Sequence, residues 1–202
     1  EFYRTDRSRG FVRGYSFEAV RGFGPVQTAL WGMVHGLVPW GEGHHAAYAR
    51  YFDHTATLLG ITEDLAEESN TVTLDPELTD GHGIPAPKIS YQLSDNSRKM
   101  LAHSVERATE ALKAAGAVQT VAMPLVRDAG WHLMGTARMG RDPKTSVVNE
   151  RGQAHDVKNL FIVDGSIFVT AGGVNPTSTI QALALYVADD IKKNVATLFD
   201  GS

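Results

Sequence analysis

The feature that most constrains this chain is a long helix near its end, which starts directly after a glycine-rich turn. Asn175 and Pro176 stand before it, and these residue types are favoured at the N-cap and the first helical position. From Thr179 to Asn194, apolar residues recur at helical spacing: Ile180, Leu183, Ala184, Val187 and Ile191. The first N–H groups of a helix carry partial positive charge, so this helix start is suited to an anion.

The turn Gly130–Thr136 holds a titratable side chain, His132, among apolar residues and between two glycines. A neutral imidazole can take a proton from an alcohol, which helps to expel a hydride from the alcohol carbon. Without further context, however, one histidine in an apolar loop is more often structural. Capping alone likewise explains Asn175 before Pro176. The local patterns therefore leave a structural and a catalytic interpretation open for both residues.

Four separate blocks in a fixed order connect these two segments: His132–Gly140, Val147–Asn149, Asn159–Ser166 and Asn175–Ile180. Together they closely resemble the C-terminal end of the glucose–methanol–choline (GMC) family of FAD-dependent oxidoreductases. They look closest to the large subunits of sugar and gluconate dehydrogenases. Upstream, Asn70–Pro76 and Ile84–Tyr91 resemble strands of that family's substrate domain, whereas the chain before them matches loosely.

The resemblance implies two catalytic residues, His132 and Asn175. The family's catalytic histidine occupies the position of His132. The position of Asn175 holds histidine or asparagine in the family and faces the substrate oxygen beside flavin N5. Because an amide cannot act as a base, His132 would take the proton alone while a hydride passes to the flavin.

The resemblance also implies contacts with the cofactor. Asp164 and Gly165 look like the family's Asp-Gly pair, which contacts FAD at its ribityl-pyrophosphate portion; on their own they fit a turn that ends a strand. Asn175, Pro176 and Thr177 would present the helix start to the N1–C2=O edge of the flavin. That edge gains negative charge on reduction, and fixed dipoles would stabilise it.

Most of the cofactor site is expected elsewhere. The sequence has no Gly-x-Gly-x-x-Gly fingerprint for a dinucleotide pyrophosphate, and the family places it near the N-terminus of a much longer chain. We therefore expect a C-terminal portion that is inactive alone, with FAD bound largely by the missing N-terminal portion. The expected partners are that portion and a small-molecule alcohol (a sugar, polyol or sugar acid), with an electron-acceptor subunit as a further candidate. The alternative is a stand-alone α+β binding module without catalytic activity.

Composition argues against several other classes. A net charge of −4 without a cluster of Lys and Arg argues against nucleic-acid binding. No apolar run approaches the roughly 20 residues needed to span a bilayer, so we expect a soluble protein, cytoplasmic or periplasmic, with the compartment open. The absence of cysteine excludes disulfides and thiolate metal sites. His44, His45 and His54 lack metal-ligand spacing, and no metal is expected.

The order of elements predicts an α+β fold in two parts. Residues 1–129 would form a substrate-binding domain with a mainly antiparallel sheet and helices on one face. Residues 130–202 would form the active-site loop and the last strand and helix of a Rossmann-like FAD domain. The predicted strands are Phe11–Arg21, Thr71–Leu74, Lys88–Leu93, Val118–Met123 and Leu160–Val163. The predicted helices are Ala46–Leu59 and a helix capped by Ser94 or Asp95 that ends near Ala115. A small hairpin is predicted around Arg151–Gly152, and a loop over Thr79–Pro87.

Overall fold

The computed structural model describes residues 2–126 and 130–197; residue 1, residues 127–129 at the predicted domain boundary, and residues 198–202 lie outside this description. The elements in chain order are β1 (Tyr15–Arg21), α1 (Pro25–Val34), α2 (His44–Tyr51), β2 (Ala56–Thr62), β3 (Thr71–Thr79), β4 (Pro85–Ser90), α3 (Asp95–Ala114) and α4 (Thr177–Asn194). Short 3-10 turns cover Arg7–Arg9 and Gly165–Ile167. The predicted α+β class with antiparallel strands is confirmed.

The first sheet is an antiparallel pair in which β1 runs beside β2, with Tyr15 opposite Thr62 and Arg21 opposite Ala56. Helix α3 packs on this pair. The core between them holds Phe11, Tyr15 and Met100, with Phe2 and Phe17 packed around it. Ser94 caps α3 as predicted, because its side chain accepts a hydrogen bond from the Ser97 N–H. Helix α3 thus covers one side of this strand pair. Ser16 and Glu18 of β1 instead bond residues of the C-terminal part, Gly173 and Asn175.

The second sheet is the β3–β4 hairpin, in which Val72 lies opposite Ile89. Both strands extend into the predicted loop Thr79–Pro87, because Asp80 closes a tight turn by accepting hydrogen bonds from the backbone N–H groups of His82 and Ile84. Apolar side chains of the hairpin, among them Val72 and Ile89, stay exposed to solvent.

The C-terminal part has a second core of Val148, Ala154 and Ile167, against which Leu183 of α4 packs. The predicted hairpin is present as an antiparallel bridge between Val148 and Ala154. The backbone after the His132 turn runs beside the 3-10 turn: the Ala137 N–H donates to the Ser166 carbonyl at 2.9 Å, and the Met139 N–H donates to the Ile167 carbonyl at 2.9 Å.

Three predicted elements are wrong. The helix Ala46–Leu59 ends at Tyr51, since Asp53 adopts a left-handed φ of 61° and the following residues form β2. Val118–Met123 forms no strand, because no neighbouring strand pairs with it among the described residues. Across residues 2–126 and 130–197, Leu160–Val163 makes a single antiparallel bridge, from Phe161 to Gln153, rather than joining a parallel sheet.

The chain exposes much more surface than a compact monomer of its size. Its accessible surface is 14168 Å², whereas a folded monomer of 21.9 kDa is expected to expose about 9,300 Å². The excess includes large apolar side chains on several elements, such as Leu30, Trp40, Ile89 and Leu185. Surface of this kind is usually covered by another protein surface or a ligand.

Candidate active site

The His132 turn packs against the start of α4, and Gly165 is the point where the two meet. A Cβ atom placed on Gly165 would lie 3.2 Å from the Leu133 carbonyl oxygen, 3.5 Å from Cγ of Met134 and 3.4 Å from Cδ1 of Ile180. Leu133 directly follows His132, and Ile180 lies in the first turn of α4. His132 itself is partly exposed. The fold therefore holds the backbone of the histidine turn beside the helix start.

Asn175 is held by a residue that the sequence analysis missed. Its Nδ2 donates a hydrogen bond of 2.7 Å to Oε1 of Glu18, which lies on β1, 157 positions away. A carboxylate can only accept, so this contact fixes the orientation of the amide and leaves its second N–H available as a donor and its Oδ1 as an acceptor. The one local signal was a charged residue within an otherwise largely apolar strand.

The predicted capping role of Asn175 is wrong. Pro176 is the N-cap of α4, with helical φ of −87° and ψ of −5°, and no side chain caps the helix. The Asn175 amide bonds Glu18 instead, because a hydrogen bond to a charged group is stronger than a neutral one. The first turn, Thr177–Thr179, is exposed, so the N–H groups at this helix start can donate hydrogen bonds to a ligand.

Asp164 and Gly165 have defined structural positions. Hydrogen bonds from the side chain and the backbone N–H of Ser166 hold the pKa of Asp164 below its usual value. The carboxylate thereby caps the 3-10 turn Gly165–Ile167. Gly165 is buried, and its missing side chain permits the close approach of the Leu133 carbonyl. Asp164 thus fixes the 3-10 turn, and Gly165 within that turn lets the histidine turn pack closely against it.

Arg138 braces the loop beyond the histidine turn, since its Nε donates to the Thr145 carbonyl at 2.7 Å. A cavity of about 260 Å³ lies beside it and is lined in part by Gly135, Thr136 and Lys144. His132 is not among the residues that line this cavity. Within residues 2–126 and 130–197, no group of three His, Asp or Glu side chains is placed to hold a metal ion.

These features combine, in an α+β chain, a partly exposed histidine in a glycine-flanked turn with an uncapped helix start on the far side of Gly165. The model of the family described as "GMC oxidoreductase" matches residues 66–184, more than half of the chain. The chain therefore belongs to the GMC oxidoreductase family, whose members generally bind FAD.

Individual relatives agree with this assignment. The chain is 41% identical over 201 residues to 2-methyl-1,2-propanediol dehydrogenase of Mycolicibacterium austroafricanum, covering 99% of this chain and 36% of that protein. It is 33% identical to the fructose dehydrogenase large subunit of Gluconobacter japonicus, covering 68% of this chain and 25% of that protein. It is 28% identical to the gluconate 2-dehydrogenase flavoprotein of Pantoea cypripedii, covering 78% and 27%. The chain thus spans a quarter to just over a third of the length of these relatives.

No helix in the described part of the chain has the length and the apolar character needed to cross a membrane.

Proposed function

We propose that this chain supplies the catalytic groups of a longer FAD-dependent enzyme that oxidises an alcohol, with a sugar, polyol or sugar acid as substrate. His132 accepts the proton of the substrate hydroxyl, and the second N–H of the Asn175 amide donates a hydrogen bond to the hydroxyl oxygen, which stabilises the negative charge that develops there. The chemistry that FAD supplies when bound is acceptance of the hydride. Names of relatives that act on a diol, fructose or gluconate support this substrate class.

Cofactor contacts are proposed for Asp164, Gly165, Pro176 and Thr177, with the exposed helix start directed at the flavin edge. The remainder of FAD is held by an N-terminal portion outside this sequence, which is also the principal partner. An electron-acceptor subunit is a further proposed partner, supported by the relative described as a large subunit.

The observation that carries this proposal is the junction at Gly165. A Cβ on Gly165 would lie within 3.4 Å of both the Leu133 carbonyl oxygen and Cδ1 of Ile180, so the turn that carries His132 and the first turn of α4 both pack around Gly165. Asn175 precedes α4 by two residues and is oriented by Glu18. The turn that carries His132 and the helix that follows Asn175 thus share one packed junction, which supports the proposal that the two side chains act on the same substrate hydroxyl.

The test is His132→Ala in the full-length enzyme, followed by anaerobic reduction of the flavin with substrate. Loss of a general base reduces the rate by about 100-fold or more, so flavin bleaching should slow by that factor while substrate still binds. His82→Ala is the matched control, because His82 lies exposed in the β3–β4 turn. Undiminished flavin reduction by the His132 variant would contradict the proposal.

The stand-alone binding module is the less favoured alternative, since a self-sufficient domain would not leave so much apolar surface exposed. The excess over a compact monomer is about 4,900 Å² on this chain alone, which is more than the share of one partner in most permanent interfaces. We expect the isolated chain to bind FAD weakly. A flavin absorbance band that remains with the isolated chain through gel filtration would contradict this expectation.

A further inference from the structure

The segment Thr170–Asn175, called here the docked segment, runs parallel to the beginning of β1 in a constant register. Three hydrogen bonds join residues that are each 157 positions apart. They link Arg13 Nη2 to Thr170 Oγ1 at 2.8 Å, Ser16 Oγ to the Gly173 carbonyl, and Asn175 Nδ2 to Glu18. A constant offset means that both backbones advance together, so a shift at one end changes the register at the other.

The docked segment lies directly on the sheet at Gly173. A Cβ atom on Gly173 would lie 3.3 Å from Cα of Tyr15 and 3.4 Å from the Ile61 carbonyl oxygen. At this position the segment thus lies against backbone atoms of both β1 and β2, beside the side chain of Glu63. Asn175 follows Gly173 by two residues, so the position of its side chain depends on the contacts that hold Thr170 and Gly173.

Arg13 provides that anchor, and it does so in a strained conformation. Its φ of 75° is in the left-handed region, which is uncommon for a residue other than glycine. The backbone N–H of Arg13 donates to Oγ1 of Thr5 at 3.0 Å, and its Nη1 lies 3.8 Å from Oε2 of Glu63. Backbone strain persists where the surrounding contacts impose it, and it is common at functional sites.

We propose that Arg13 is a positioning residue for the oxidation: through Thr170 it sets the register of the docked segment, and with it the place where Asn175 meets the substrate hydroxyl. The proposal rests on the proposed function. Arg13 touches no reacting atom in it. Its effect reaches the site through the hydroxyl of Thr170 and the backbone between Thr170 and Asn175.

Two substitutions in the full-length flavoenzyme separate this role from a structural one. Arg13→Asn removes the guanidinium while keeping a residue that tolerates positive φ, and Thr170→Val removes only the hydroxyl. Each should lower the limiting rate of flavin reduction per bound flavin by about tenfold, as a misplacement of well under 1 Å does. Thr170→Ser restores the hydroxyl and should restore the rate.

The double variant Arg13→Asn/Thr170→Val should be no slower than either single variant, because both remove the same contact. Arg21→Gln is the control: Arg21 lies at the other end of β1, in an exposed pair with Asp53, and its loss should leave the rate unchanged. A wild-type rate in Arg13→Asn or Thr170→Val, multiplied losses in the double variant, or no recovery in Thr170→Ser would each overturn the proposal.

His132→Ala, measured in the same assay, separates the two levels of inference. If it abolishes flavin reduction while the Arg13 and Thr170 variants keep wild-type rates, the positioning role alone is refuted. If His132→Ala itself leaves flavin reduction unchanged, the proposed function fails first.

Discussion

Gly165→Ala tests whether the packing between the His132 turn and α4 sets activity. The added methyl would lie 3.2 Å from the Leu133 carbonyl oxygen and 3.4 Å from Cδ1 of Ile180. Gly165 does not have a positive φ, so alanine adds contacts there without straining the backbone. The substitution therefore changes one quantity, the distance between the histidine turn and the helix start.

The magnitude follows from these distances. Ordinary van der Waals contacts of a Cβ atom begin at 3.4 Å, so the Leu133 carbonyl oxygen, 3.2 Å from the added Cβ, must move away by a few tenths of an ångström. A backbone carbonyl cannot rotate away as a side chain can, so the turn itself must move. A misplacement of about 1 Å can lower a rate by about 100-fold, and on a logarithmic scale a shift of about 0.2–0.3 Å corresponds to roughly a threefold to fourfold loss. Overpacking of this kind costs about 1 kcal/mol of folding free energy.

The assay is anaerobic flavin reduction by substrate in the full-length enzyme, paired with urea unfolding. Gly81→Ala is the matched control, because Gly81 lies in the β3–β4 turn, a Cβ there meets nothing within 4 Å and its φ is not positive. Gly165→Ala should lower both rate and stability, and Gly81→Ala neither. A destabilised Gly165→Ala enzyme with an unchanged reduction rate would refute the argument that this junction positions His132. Equal losses in both variants would show that packing is not the cause.

Three further predictions concern other contacts. In Glu18→Gln the new amide can still accept a hydrogen bond from Nδ2 of Asn175, but it can also donate to Oδ1 of Asn175 when that amide is turned by 180°. Because the orientation of Asn175 is then only partly fixed, we expect about a twofold loss of kcat/KM, against about tenfold for Glu18→Ala, which removes the hydrogen bond. Burial lowers the pKa of His103 below its usual value, so as the pH falls towards 5 the unfolded chain binds more protons than the folded chain does. The free energy of unfolding measured in urea should therefore decrease from pH 7 to pH 5. Gly152→Ala would place a methyl 2.7 Å from the Ile162 carbonyl oxygen at a φ of 70°; thermal unfolding should show a loss of about 2 kcal/mol or more.

Gly10→Ala is the control for Gly152→Ala, because Gly10 has a similar φ of 81° but no atom within 4 Å of an added Cβ. It should lose only the backbone penalty of about 1 kcal/mol, and an equal loss in Gly152→Ala would mean that crowding against Ile162 contributes nothing. His103→Gln should flatten the dependence of stability on pH, whereas His82→Gln should not. If Glu18→Ala matches wild-type kinetics, the amide of Asn175 needs no orienting partner.

Local patterns predict an element well when its own residues decide it, as in α3. Ser94 caps the helix, apolar residues follow at helical spacing, and the helix ends just before Gly116. Strand β2 could not be predicted in this way, since its apolar residues also fit a helix that continues from α2. Its conformation is decided by pairing with β1, more than thirty positions earlier. Pairing also decides Val118–Met123. Its β-branched residues favour a strand, but no segment in the described part of the chain pairs with it, so no strand forms.

The candidate site combines both cases. His132 and the start of α4 could be located from the sequence, because a histidine between glycines and a proline before an apolar helical pattern are local signals. The state of Asn175 could not, because a capping asparagine and an asparagine bound by a distant carboxylate share the same local sequence. Glu18 and Asn175 are separated by 157 positions, and only the docking of Thr170–Asn175 on β1 brings them together. Since the same register also joins Arg13 to Thr170, a substitution of Arg13, just before β1, should affect the oxidation although this side chain does not touch the substrate.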